Sequence, residues 1–157
     1  FARQLFYNLL RIGFRNINLF YHHQSENFAS GMPNDLAFRL AAKQEIFAFL
    51  DREKGEGWWG EDEASANYYA EHEAGSDPFS WIRVEPFMSA EAQAQWPIDH
   101  AGEQETSLMM AFAPEGVDMN RFDDKYWYAK HAPKANMEYA NKAKAFILAD
   151  LKKRLSK

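Results

Sequence analysis

Chemistry-bearing side chains crowd into Trp96-Pro-Ile-Asp-His-Ala-Gly-Glu-Gln-Glu-Thr-Ser107. His100 and three carboxylates, Asp99, Glu103 and Glu105, fall within seven positions, and an apolar run over 108–112 follows. Imidazole nitrogen and carboxylate oxygen suit zinc, manganese or iron without a thiolate. The same groups serve as general acids and bases. A helix starting near Gly102 would set Glu103 and Glu105 about 200° apart around its axis. One of them then faces a site, and the other holds a supporting contact or the helix start. His100 precedes the helix and can share a pocket with Glu103. The ordinary alternative is a helix N-terminus capped by Asp99, with acids complementing the dipole.

A second cluster is Tyr21-His-His-Gln-Ser-Glu-Asn27, where His22, His23 and Glu26 stand at the end of an expected strand. Two imidazoles and a carboxylate there could ligate a divalent ion, although strand-end histidines are often only hydrogen-bonded. His72 and His131 lie in polar surroundings and read as surface residues. Trp58 and Trp59 read as packing or subunit-contact residues.

The elements that must position these clusters follow from periodicity. Leu5, Leu9 and Ile12, with Phe6 and Leu10, repeat at helical spacing, and Gly13 is a plausible C-cap. Ile17, Leu19 and Tyr21 alternate with their neighbours as in a strand. A helix starts at Pro33 and runs through Leu36, Leu40, Phe47 and Leu50, with 46–50 readable as a short strand instead. Residues 51–77 form an acidic, Gly-containing excursion with one helical piece over 64–73. Residues 81–87 read as a strand, and a turn region leads to His100. A helix over 102–113 ends at Pro114, 114–133 is irregular and aromatic, and 136–155 is an amphipathic helix with Ala140, Ile147, Leu151 and Leu155 near one face. Helix and strand in this order indicate an α/β layered fold, whose ligands sit at the carboxyl ends of parallel strands.

Composition narrows the partners. Of 157 residues, 46% are hydrophobic and 26% charged, which suits one packed domain. A net charge of −5 argues against nucleic acid as a partner. The single basic cluster, Lys152, Lys153 and Arg154, is expected to complement a helix dipole and face water. With no cysteine, disulfides and thiolate metal sites are excluded, which agrees with a cytoplasmic location. No apolar run is long enough to span a membrane as a helix.

The order of these motifs resembles the creatininase (creatinine amidohydrolase) family. His100-Ala-Gly-Glu-Gln-Glu-Thr-Ser-Leu-Met110 is similar to that family's His-Ala/Gly-Gly-x-x-Glu-Thr-Ser-Leu-Met run, and Pro114-Glu-Gly-Val-Asp118 to the segment after it. Upstream, 13–19 resembles the strand entering the family's Asn-Gly-His-x-x-Asn loop, here His22 to Asn27. The resemblance implies a three-layer αβα sandwich with a mostly parallel sheet, incomplete in this chain, and a homo-oligomer, often a hexamer. It implies a dinuclear site for zinc or manganese that hydrolyses C–N bonds of small cyclic amides or related cyclic carbonyl compounds.

By position, the resemblance makes His23 and Glu26 metal ligands and His100 the proton-handling histidine. It makes Trp96 a substrate-side residue, Glu103 a residue of the metal site, and Glu105 a supporting residue. The chain departs from the family in three places. Counted without a gap, Gln24 rather than His23 takes the loop's His slot, and His22 is a third candidate. Pro97 replaces an acidic residue of the creatinine-hydrolysing members, which argues against creatinine itself. The family's Glu-x-His ligand segment, with its later Asp, is expected upstream of Phe1, so residues 1–157 are read as a single-domain C-terminal part that should be inactive alone. Two other readings compete with this one: an inactive binding or assembly module, and a metal-dependent hydrolase or isomerase of sugar or inositol derivatives.

Overall fold

A computed structural model describes residues 1–22, 33–58, 70 and 77–156. The expected helical piece over 64–73, together with Trp59 and His72, lies outside the described residues, apart from position 70. The elements are α1 (Ala2–Ile12), β1 (Ile17–Tyr21), α2 (Pro33–Lys54), β2 (Ile82–Pro86), α3 (Ala90–Gln95), α4 (Glu103–Phe112) and α5 (Met137–Leu155). Short 3-10 turns occupy Pro78–Ser80, Pro114–Gly116, Met119–Arg121 and Ala132–Lys134. β1 and β2 pair as a parallel two-stranded sheet, so the chain is of the α/β kind. Parallel pairing needs a long crossover, and α2 lies within it.

The described residues fall into two compact units, one holding 1–21, 33–58 and 77–85, the other His22 and 86–156. In the first, α1 ends as its sequence demands. Gly13 takes φ 114°, a left-handed conformation that costs glycine little, and its N–H closes onto Leu9 and Leu10 carbonyls. The core gathers Phe6 and Leu10 of α1, Ala41, Ala42, Ile46, Phe49 and Leu50 of α2, Trp58, and Ile82 and Val84 of β2. Buried Trp58 bears out its packing role.

The helix expected from Pro33 through Leu50 is present, and Ile46 to Leu50 is helical rather than a strand, because α2 runs unbroken for 22 residues. The buried faces, however, are rotated from the expected ones. Ile12 is 71% exposed while Phe6 and Leu10 are buried, and Leu36, Leu40 and Phe47 of α2 are exposed. Both helices carry apolar residues on more than one side, so periodicity alone does not say which stripe packs.

Arg15 ties this unit together. Its Nη1 donates to the Leu10 carbonyl at 3.0 Å and the Phe14 carbonyl at 2.9 Å. Its guanidinium lies 4.4 Å from the Phe49 ring centroid and 4.7 Å from that of Trp81. Arg15→Ala is expected to cost about 1–2 kcal/mol, through two lost carbonyl contacts and two cation–π contacts. Arg15→Lys should recover only part of that, lacking the planar fork. Chemical denaturation of the three proteins checks this, and an Ala variant as stable as wild type would refute it.

The second unit is built by α4 and α5 with α3 beside them. Met88, Ala92, Leu108, Ala143 and Ile147 are its buried centre, with Phe87, Trp96, Ile98, Tyr139, Phe146 and Leu151 against them. α3, capped by Ser89 through the Ala92 N–H, stands where only a turn was expected, since six residues are too few for periodicity to show. On α5, Ala140 and Ile147 pack as expected, whereas Leu155 is exposed.

The basic cluster is also not uniformly solvated. The Arg154 side chain is only 14% exposed. It donates to the Pro86 and Phe87 carbonyls and pairs with Asp150 at 3.0 Å. Lys152 and Lys153 remain exposed. Among the described residues, no helix is long and apolar enough to cross a membrane.

Candidate functional site

Asp99 organises the turn that carries His100. Its Oδ1 accepts the Gly102 N–H at 3.1 Å and the Glu105 N–H at 3.0 Å, and its Oδ2 accepts the Gln104 N–H at 3.2 Å. The Gln104 and Glu105 amides belong to the first turn of α4, whose N–H groups have no partner within the helix, and Gly102 flanks it. The carboxylate therefore does a cap's work from three residues before Gly102, the residue that flanks the helix. The capping role expected of Asp99 is present.

The turn is tight. Ala101 adopts φ 51°, a region that side chains other than glycine seldom occupy. A methyl group on Gly102 would lie 2.3 Å from Asp99 Oδ2, so only glycine lets the carboxylate sit over its own amide. The His-Ala-Gly sequence thus has a steric reason.

Glu103 and Glu105 diverge as helical spacing requires. Glu105 Oε2 accepts the Ala101 N–H at 2.7 Å, closing the turn from the opposite side to Asp99. Its other oxygen lies 3.5 Å from His22 Nε2. His22 also meets Phe87 edge to face at 6.1 Å. The Glu103 carboxylate bonds to no described residue. It lies near Tyr139, whose phenol is pushed up by burial first and then by the charges of Asp99 and Glu103. The Tyr139 hydroxyl donates to the Pro97 carbonyl at 2.5 Å.

His100 is exposed, and its ring meets Tyr128 at 5.1 Å with 69° between planes. Trp96 packs edge-on to Tyr139 at 5.4 Å, with its indole nitrogen buried and without an acceptor among the described residues. The Thr-Ser pair of the motif has a structural use. Buried Ser107 donates to the Glu103 carbonyl at 2.5 Å and accepts the Asn136 N–H at 3.0 Å, pinning α4 to the start of α5. A cavity of about 290 Å³ opens beside the turn, lined by Ala101, Glu105, Thr106, Met109, Val117 and Phe122 among others.

The structure places His100, Glu103 and Trp96 in one unit and brings His22 from the upstream cluster to Glu105. His23 and Glu26, the expected loop ligands, lie outside the described residues, as does Gln24. Among the described residues, no three histidine or acidic side chains converge as a metal-binding group. The donors available, imidazole nitrogen and carboxylate oxygen, fit a divalent ion in chemical type. His131 is exposed, as its polar surroundings suggest. Tyr128 and Tyr139 were not singled out as site residues by sequence. For Tyr128 the nearest signal is the aromatic richness of 122–128, which says nothing about which ring reaches His100, and for Tyr139 there is none.

A family model described as creatininase, creatinine amidohydrolase, matches residues 1–147. Comparison with curated proteins and with solved structures finds no match.

Proposed function

Because the chain belongs to the creatininase family, we propose that it forms part of a metal-dependent hydrolase acting on a small cyclic amide or a related cyclic carbonyl compound. One observation carries the reading beyond family membership. His22, from the upstream cluster Tyr21–Asn27, lies 3.5 Å from Glu105, in the cluster Trp96–Ser107. Two segments far apart in sequence thus meet within one compact unit.

In this reading His23, Glu26 and Glu103 hold a divalent ion, zinc or manganese. A bound ion of that kind lowers the pKa of a water and polarises a carbonyl. The protein's own part is positional. Asp99 and Glu105 fix the turn, and the turn presents His100 beside the reacting bond. His100 gives a proton to the departing ring nitrogen. Glu105 orients His22, and Trp96 walls the substrate side. The three-layer sandwich, the hexamer and the cytoplasmic location belong to the same proposal.

Metal content is the direct test. In the complete protein, His23→Ala, Glu26→Ala and Glu103→Gln should each lower bound zinc or manganese well below wild type, read by elemental analysis after dialysis. Removing one ligand typically weakens such a site by far more than the 10- to 100-fold of a supporting residue. Full occupancy in all three variants would sink the ligand assignment. Stoichiometric metal with no turnover of any cyclic amide, cyclic ketone or sugar derivative would favour the binding-module alternative.

A further inference from the structure

We propose that Tyr128 is a positioning residue for His100, holding the imidazole in one orientation toward the reacting bond; this rests on the reading of His100 as the proton donor. The backbone at His100 is already fixed by the three amides on Asp99 and by Glu105 on the Ala101 N–H. The ring is not fixed by these contacts. It is exposed, and rotation about two side-chain bonds would spread its nitrogens over many directions. Tyr128 is the partner that narrows them, edge to face at 5.1 Å. An aromatic pair prefers this arrangement because the positive edge of one ring meets the negative face of the other.

Tyr128 is itself held. It stacks on Tyr126 at 5.5 Å with 25° between planes, and Trp127 meets it edge-on at 5.8 Å. Tyr126 carries the Lys125 ammonium 4.7 Å from its ring centroid. Lys125 in turn pairs with Asp123 at 2.5 Å. A chain of contacts therefore runs from Asp123 to His100. Trp127 is 80% exposed, so its contact with Tyr128 is made at the surface rather than in a core. Proton transfer depends steeply on donor direction, and a misplacement of about 1 Å can cost two orders of magnitude. A ring contact on the proton donor thus affects rate more than stability.

The experiment is run on the complete, metal-loaded enzyme with hydantoin and dihydrouracil as substrates and with histidine rings labelled for NMR. The His100 signal is assigned by its loss in His100→Asn. Tyr128→Leu is expected to move that signal toward the position of an unstructured histidine and to lower kcat about tenfold, with KM and bound metal within about twofold. Tyr128→Phe, which keeps the ring and drops only the hydroxyl, should restore both signal and rate. An unmoved His100 signal in Tyr128→Leu overturns the proposal, as does a Phe variant that behaves like Leu. Wild-type turnover by His100→Asn sinks the proton-donor reading instead, and the two failures are told apart by which variant shows them.

Discussion

His100→Asn is expected to leave the fold and bound metal in place and to lower turnover by about a hundredfold to ten-thousandfold, the usual cost of losing a general acid. Asparagine keeps the polarity and much of the volume of the side chain but cannot donate a proton as imidazolium does. The structure supports the first half of this expectation. The His100 side chain is exposed and absent from both buried cores. The turn that carries it is held by backbone amides on Asp99 and Glu105, which the substitution does not touch. Losing the ring contact to Tyr128 should cost about 0.5–1.5 kcal/mol. Melting temperature, metal content and rate, measured together, decide the matter. A variant with wild-type turnover returns the motif to a capped helix end.

Gly102→Ala should be the most damaging small substitution in the second unit. The added methyl would meet Asp99 Oδ2 at 2.3 Å and Cγ at 2.7 Å. A flexible surface carboxylate would swing aside at little cost. This one accepts three backbone amides, and moving it strands the first turn of α4. Lost capping and steric strain together should cost about 2–4 kcal/mol. For a domain of this size, each kcal/mol lowers the melting temperature by about 2–4 °C. The same displacement should move His100 and reduce turnover. Asp99→Asn is the companion variant: it keeps the shape, weakens the charge-assisted acceptor and should fall between the two. An alanine variant that melts with wild type means that Asp99 does not sit over Gly102.

Different distances in the chain separate what was legible in the sequence from what was not. The candidate site was readable where local rules act. Gly13 as C-cap follows from residue-level conformational preference, and so do the start of α4 just after Gly102 and the capping carboxylate of Asp99. The opposed directions of Glu103 and Glu105 follow from helical pitch alone. The order of motifs was enough to indicate the family. Tertiary structure alone decided which apolar stripe packs. Phe6 and Leu10 are buried and Ile12 is not, because burial depends on what another element offers and both stripes are apolar. It alone showed that Arg154, read as a solvated cation, bonds the carbonyls of Pro86 and Phe87, since a long side chain can reach a partner 68 positions away. Ser107 as a pin between two helices, Tyr128 against His100 and His22 beside Glu105 are likewise contacts between segments distant in sequence. Spacing along a chain constrains direction around one helix or strand. It carries no information about which remote side chain will fill the space in front of it, and that space is where the chemistry occurs.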